Sequence, residues 1–191
     1  MARPRSFSLD DATDRAMQVF WARGYDEAGL SELLDAMGIV RGSFYKAFGS
    51  KQALFLRVLS RYEADRVQGA VDLLTDATLP GPERIALFFA KGLEAIQAGD
   101  RRGCLLCNTA SGPVLEDEEV REAVAAQMAR LAQAFEIALG DGEDAAGEAR
   151  RLLMSYVGMQ ILGRGGVDAK DLAHAVEPHL APLANPDGML Q

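Results

Sequence analysis

Two short helical patterns, separated by one glycine, lie within residues 29–51 and leave few folds open to this chain. In the first pattern, apolar residues recur at steps of three and four, which places them on one face of a helix. These residues are Leu30, Leu33, Leu34 and Met37. Gly38 follows at once, and a glycine there can take the left-handed conformation that ends a helix and lets the next one leave steeply. The segment therefore predicts two helices joined by a tight turn.

The second helix of the pair, beginning near Arg41, is predicted to have an apolar and a polar side. Phe44 and Phe48 are four residues apart and are expected to pack inward. The outward side carries basic and hydroxyl groups, and a further lysine follows at the start of the next helix. The candidate DNA-binding residues are Arg41, Ser43, Tyr45, Lys46 and Lys51. Such side chains bind phosphate, and a helix fits the major groove, so we predict a helix-turn-helix that binds double-stranded DNA.

These residues resemble a known DNA-binding signature. The run GYDEAGLSELLDAMGIVRGSFYKAFGSKQALF is similar to that of the TetR family of bacterial transcriptional repressors, and MARPRSF and VFWARGY resemble the preceding helix. The resemblance covers roughly residues 3–60. Gly29 stands where the family usually has a serine or threonine helix cap, and Ala47 stands where many members have histidine or tyrosine. These departures affect the choice of operator more than DNA binding itself.

The resemblance implies an all-α protein with two domains. Residues 1–52 would form a three-helix helix-turn-helix DNA-binding domain, and residues 53–191 a helical domain for effector binding and dimerisation. The implied function is that of a homodimeric repressor on an approximately palindromic operator. An effector in the C-terminal body would favour a conformation whose recognition helices no longer match the half-site spacing. The last two long helices, expected near residues 144–162 and 168–183, would pair with their copies in a second subunit.

Composition and charge agree with a DNA-binding protein that uses one face. About half of the chain is apolar (49%), and the net charge is −8. Residues 1–66 carry ten basic and nine acidic side chains, whereas residues 67–191 carry ten and nineteen. Residues 41–66 alone have six basic and two acidic side chains, which is a basic patch on an acidic body. No apolar stretch approaches the roughly 20 residues of a membrane span, and no signal peptide is recognisable, so we predict a cytoplasmic protein.

The remaining pattern predicts helices throughout. Ser8 and Asp11 resemble a capping box at the start of the first helix. A long helix is expected from Ser50 through Leu74, with its arginines on a solvated face, and another from about Pro82 to Ala98. Apolar residues at steps of three and four predict a further helix up to Leu139. Residues 2–6 contain two arginines and are interpreted either as a frayed terminus or as an arm that reaches the DNA.

Two cysteines, Cys104 and Cys107, lie three residues apart in the segment 101–112, and three interpretations compete. They could be small buried apolar residues. They could sense oxidants or electrophiles, because Arg101, Arg102 and a helix N-terminus would lower a thiol pKa. A zinc site is disfavoured, because no second cysteine pair or nearby histidine accompanies them. A standing disulfide is not expected inside a cell. The segment is also similar to one that borders the ligand pocket in many TetR-like regulators.

The effector pocket is predicted to be apolar and rich in methionine, which suits a small hydrophobic molecule. The candidate lining residues are Phe88, Phe89, Leu105, Leu106, Met128, Leu131, Phe135, Met154 and Met159. Ordinary core residues would follow the same pattern. No cofactor and no metal ion is predicted.

Two other classes of function fit the sequence poorly. An enzyme is disfavoured because the only histidines, His174 and His179, are five residues apart on one helix, and no phosphate-binding loop or G-x-S-x-G motif is present. A helical adaptor would use the helix-turn-helix for packing. The polar and basic outward side of the second helix argues against that use.

Overall fold

The computed structural model describes residues 7–184, with side chains described as far as Leu180. The arginine-containing arm predicted at residues 2–6 lies outside the described residues. The described part is helical throughout, as predicted. Its helices are α1 (Leu9–Arg23), α2 (Leu30–Met37), α3 (Arg41–Phe48), α4 (Lys51–Tyr62), α5 (Gln68–Thr75), α6 (Gly81–Gln97), α7 (Leu105–Ala110), α8 (Glu118–Leu139), α9 (Ala145–Arg164) and α10 (Ala169–Ala184), with a 3₁₀ turn at Pro113–Glu116.

The N-terminal helices form as their sequence signals predict. The Ser8 hydroxyl accepts the Asp11 backbone N–H at 3.2 Å and caps α1. Gly38 takes the left-handed conformation at φ 66°, and the N–H groups of Gly38 and Ile39 close the end of α2. A side chain at Gly38 would be strained in this conformation, which explains why glycine stands there.

The predicted long helix from Ser50 to Leu74 is interrupted by one π-helical turn, Glu63–Val67, between α4 and α5. The cause lies in the spacing of buried residues. Tyr62 and Val67 are both buried but are five residues apart, a step that the wider π turn accommodates on one face. Arg130 of α8 holds this turn by donating hydrogen bonds to Glu63 and, at 2.6 Å, to Gln68.

Helix α4 joins the first three helices to the rest of the molecule. Its Phe55 ring packs edge-on against Phe20 of α1, with centroids 4.9 Å apart. Arg57 donates to Asp10 at 2.9 Å, and Arg61 pairs with Asp14 at 2.7 Å. Both arginines are exposed, as the predicted solvated face requires, and the sequence did not predict their ion pairs. They are exposed ion pairs and contribute little stability individually, but both bind α4 to α1.

The body consists of α5 to α10 packed around aromatic side chains. Phe89 and Phe135 are fully buried, with Phe88 between them and Tyr156. Helix α6 begins in close contact with the end of α8, because a Cβ at Gly81 would lie 1.8 Å from the Ala138 carbonyl oxygen. Within residues 7–184, no helix is both long enough and apolar enough to cross a membrane.

Candidate DNA interface and effector cavity

Helix α3 turns its aromatic side inward and its basic side outward. Phe44 is fully buried and Phe48 nearly so. Arg41, Tyr45 and Lys46 are exposed, and Ser43 is half-buried. Cationic and hydroxyl donors therefore share one surface on a helix of two turns, as a DNA-contacting surface requires.

Lys51 lies at the start of α4, beside the loop that follows α1. Its ammonium group is 4.5 Å from the centre of the Tyr25 ring and 3.5 Å from the Asp26 carbonyl oxygen. Burial lowers the pKa of Lys51, while the nearby Asp26 carboxylate acts in the opposite sense. The side chain is thus held in place next to the N-terminus of α4, where an anion is favoured.

A cavity of about 340 Å³ lies where α1 and α4 meet the helices of the body. Its walls come from seven parts of the chain: α1, α4, the π turn, α5, α6, the loop before α7, and α9. Aromatic groups form much of the wall. The π turn, α6 and the loop before α7 contribute charged groups. The aromatic, charged and polar residues of the lining include Trp21, Tyr62, Arg66, Phe88, Lys91, Asp100, Cys104, Tyr156 and Gln160.

The predicted pocket residues are divided by the structure. Phe88 lines this cavity, and Leu106 and Leu131 line a smaller one of about 40 Å³ beside it. Four others are buried in the packed core and do not line the large cavity, and Met128 is partly buried against the core. These four are Phe89, Leu105, Phe135 and Met159.

For Met154 the prediction is wrong, because its side chain is 72% exposed on the outer side of α9. The lining of the 340 Å³ cavity also differs from the apolar, methionine-rich lining that the sequence predicted for an effector site. The cavity wall carries Arg66, Lys91 and Asp100 together with two phenols. Sequence patterns found the buried side of each helix, but they could not locate where several helices leave a gap.

Cys104 and Cys107 are both buried free thiols, as their first interpretation predicted. Cys104 precedes α7 and lines the cavity, and the Tyr62 hydroxyl lies 3.5 Å from its sulfur. Hydrogen bonds donated by Cys107 and by the Tyr62 hydroxyl lower the pKa of Cys104, while burial opposes them. The pKa of Cys107 is raised by its hydrogen bond to Cys104 and by burial.

The predicted cause of a low thiol pKa is right for the helix N-terminus and wrong for the arginines. Cys104 is the N-cap of α7, and a hydrogen bond from the backbone N–H of Cys107 helps to lower its pKa. Arg102 pairs with Asp100 at 2.7 Å, and Arg101 donates to the carbonyl oxygens of Gly163 and Val167. Both guanidinium groups are thus engaged elsewhere, and phenol and thiol donors act in their place. Among residues 7–184, no group of three or more candidate ligands is arranged to hold a metal ion.

Trp21, a residue of α1, connects the cavity to the first three helices. It is buried, its indole N–H donates to the Gly103 carbonyl oxygen at 2.8 Å, and its ring stacks under the Arg102 guanidinium at 4.2 Å. Arg164, at the end of α9, donates to the carbonyl oxygens of Arg102, Trp21 and Ala22. One wall of the cavity is therefore part of α1 itself.

Replacing Arg164 with methionine is expected to loosen this joint. The variant loses three hydrogen bonds to backbone oxygens, and we expect a loss of about 1 kcal/mol in unfolding free energy because the guanidinium is partly solvated. Trp21 is the only tryptophan, so its emission maximum should move to longer wavelength as the indole becomes wetter. Arg121→Met, which removes an exposed arginine from α8, is the control. Equal emission spectra for all three proteins would contradict this account of the joint.

Comparison with known proteins defines the class. Residues 12–58 match the family described as "Bacterial regulatory proteins, tetR family". The HTH-type transcriptional regulator YezE of Bacillus subtilis is 27% identical over 96% of this chain and 100% of its own length. The HTH-type transcriptional repressor BdcR of Escherichia coli is 33% identical, over 54% of this chain and 53% of its own. A helix-turn-helix with an outward basic side, in a chain similar to these regulators, defines a DNA-binding transcriptional regulator.

A solved structure extends the match to almost the whole chain. The TetR family regulator CifR, in a cysteine mutant complexed with 26 bp operator DNA, superimposes with a TM-score of 0.84 at 30% identity. The match covers 94% of this chain and 98% of CifR. The chain belongs to the TetR family of bacterial regulatory proteins and is not an enzyme.

Proposed function

We propose that this regulator is a homodimeric, ligand-responsive repressor that binds an approximately palindromic operator in the cytoplasm. Residues 1–52 contact DNA in this proposal, and residues 53–191 bind the effector and dimerise. The observation that carries the proposal is the outward surface of α3, where exposed cations lie on a helix whose other side is firmly buried. Several relatives with this signature are named as repressors, BdcR and ComR of Escherichia coli among them.

The DNA contacts follow from the placement of the side chains. Arg41, Tyr45 and Lys46 extend from α3 into the major groove, and Ser43 contacts its edge. Lys51 binds the phosphate backbone beside the N-terminus of α4. The phosphate contacts make the affinity fall steeply with salt. Two protomers place two copies of α3 in successive major grooves, so half-sites about one helical turn apart, or a small multiple of it, are required.

An apolar strip on α9 supports the dimer. Met154 is 72% exposed in the protomer, Leu162 51% and Ile161 43%. Met154 and Ile161 are seven residues apart and share one side of the helix, with Gly158 between them. Such a surface is costly in water and is buried when α9 pairs with its copy across a two-fold axis.

The effector is a small molecule that occupies the 340 Å³ cavity. Because the wall combines aromatic rings with charged and phenolic groups, an amphipathic molecule fits better than a purely hydrophobic one. A ligand there touches Trp21, which belongs to α1, and so bears on the position of the DNA-binding unit. It can shift the balance between two conformations only through a difference in affinity for them.

The test is fluorescence anisotropy of the purified protein on the DNA that flanks its own gene, at two salt concentrations, with unrelated DNA as the control. Tight, salt-sensitive binding confined to the flanking DNA is the expected result. Equal binding to both DNAs would place the operator elsewhere. Failure to bind either DNA at low salt would contradict the proposal and favour the alternative, a helical adaptor that binds a protein partner.

A second candidate is a regulator that responds to electrophiles through Cys104, with Cys107 as its hydrogen-bonding partner. Two observations favour this candidate: the Cys104 thiol lines the cavity, and the Tyr62 hydroxyl lies next to its sulfur. A thiolate adds to an activated C=C bond to form a thioether, and the carbon beside the carbonyl group takes a proton from solvent. The bulk added inside the cavity would then displace its walls.

The pH dependence of alkylation by N-ethylmaleimide tests this candidate. A lowered pKa keeps Cys104 as the thiolate at lower pH, so its alkylation midpoint should fall below the roughly 8.5 of an ordinary thiol, while Cys107 should stay unreactive. Tyr62→Phe removes one donor and should raise the midpoint. Mass spectrometry of the labelled peptides separates the two cysteines. DNA release by the reagent that persists in Cys104→Ser would contradict this role.

A further inference from the structure

The tip of the recognition helix carries an apolar side chain where hydrogen-bonding ones are favoured. Val40 is the N-cap of α3, and no side chain caps this helix. The caps of α1, α4 and α8 are Ser8, Ser50 and Asp117, and each accepts a backbone N–H. An oxygen at the N-cap stabilises a helix and a valine does not, so Val40 gains nothing for the fold at this position.

Val40 is also unusually exposed. Its side chain is 72% accessible, and among the large apolar residues with described side chains only Met154, on the proposed dimer surface, matches it. A single exposed apolar residue is ordinary on a protein surface. An exposed one at the leading end of the helix that enters the major groove is different, because residues there meet the edges of the bases.

The surroundings of Val40 favour contact with DNA bases over contact with protein. Arg41 next to it and Lys46 further along are exposed cations, and a protein partner would need acidic groups facing them. Gly42 is exposed as well, and a Cβ built on it meets nothing within 4 Å. Because Gly42 has no side chain, no bulky group stands beside Val40 at that position, and base edges can approach the valine closely. The apolar group that the major groove offers is the C5-methyl of thymine.

We propose that Val40 reads a thymine in each half-site by packing its side chain against the C5-methyl group. This inference rests on the proposed DNA-binding function and deepens it. The methyl group leaves water on contact, as does the valine. Val40 thereby determines sequence at one position, whereas the cations around it contribute mainly to affinity.

The experiment begins with DNA selected by the full-length wild-type protein from a random-sequence pool. Each thymine of a half-site is then replaced with deoxyuridine, which removes only the C5-methyl group, and affinities are measured by anisotropy. We expect one position per half-site at which the replacement weakens wild-type binding roughly fourfold, the effect of burying one methyl group. Val40→Ala should bind the thymine and deoxyuridine forms equally well.

Two further variants separate reading from folding. Val40→Ser restores a capping oxygen without a methyl group, so it should melt at least as high as the wild type and still not distinguish the two DNAs. Ile137→Ala trims an exposed apolar residue of α8 and should keep the wild-type preference.

A deoxyuridine penalty that is the same in Val40→Ala and in the wild type, or that is absent at every thymine in the wild type, would overturn the inference. A pool that yields no enriched DNA would overturn the proposed DNA binding and this inference with it. The two failures are therefore distinguishable.

Discussion

Replacement of both Arg41 and Lys46 with alanine is expected to weaken operator binding about 1,000-fold. A dimer loses four cationic contacts, and each contributes about 1 kcal/mol at the low end of the usual range, which gives about 4 kcal/mol in total. Both side chains are exposed on α3, so the fold and the melting temperature should change little. The slope of log affinity against log salt should also become shallower, by nearly one for each phosphate contact that is lost.

The matched control removes the same charge elsewhere. Arg150 and Arg151 lie near the start of α9, at the opposite end of that helix from Arg164, which contacts α1. Alanine at both positions changes the net charge equally and should leave operator affinity within a few-fold of the wild type. Equal losses in the two double variants would mean that the overall field, and not the surface of α3, governs binding.

Placing acidic residues on the α9 strip is expected to dissociate the dimer. In Met154→Glu/Ile161→Glu, four carboxylates would face one another in the interface, where burial without partners costs several kcal/mol. Sedimentation should find monomers at micromolar concentration. Operator affinity should fall at least 100-fold, because the two DNA-binding helices are no longer linked in one dimer that can bind both half-sites at once.

Ile137→Glu provides the comparison, since Ile137 is 52% exposed on α8 and lies outside the proposed interface. It should remain dimeric and bind the operator normally. A dimeric Met154→Glu/Ile161→Glu protein would assign dimerisation to another surface, and a monomer that still bound the full operator tightly would contradict the paired-groove account.

The helix-turn-helix could be predicted from sequence because its determinants are local. Steps of three and four fixed the inner faces of α2 and α3, and Gly38 marked the turn where its positive φ places it. Helix ends were also close to prediction, with α6 observed at Gly81–Gln97 against an expected Pro82–Ala98. The π turn was missed, although the five-residue step from Tyr62 to Val67 carried its signal.

The cavity could not be predicted because it depends on how seven parts of the chain meet. Trp21 looks like a packing residue from the periodicity of α1, and only the three-dimensional arrangement brings it to Gly103, 82 positions away. Met154 shows the converse, since an apolar residue on a rather apolar helix faces outward. The groups that lower the pKa of Cys104 were only partly predictable. Cys107 and the N-terminus of α7 lie nearby in sequence, whereas Tyr62 and Tyr156 reach Cys104 only in the folded structure.

Hydroxyl-radical footprinting on the DNA flanking the gene would test whether this protein reads DNA as a symmetric pair of recognition helices. Two protected patches on one side of the duplex, related by the symmetry of the sequence and about one helical turn or a small multiple of it apart, are the result we expect. If both patches disappear in Arg41→Ala/Lys46→Ala, the protection comes from contacts that α3 makes. A single patch, or protection spread evenly along the DNA, would contradict the account.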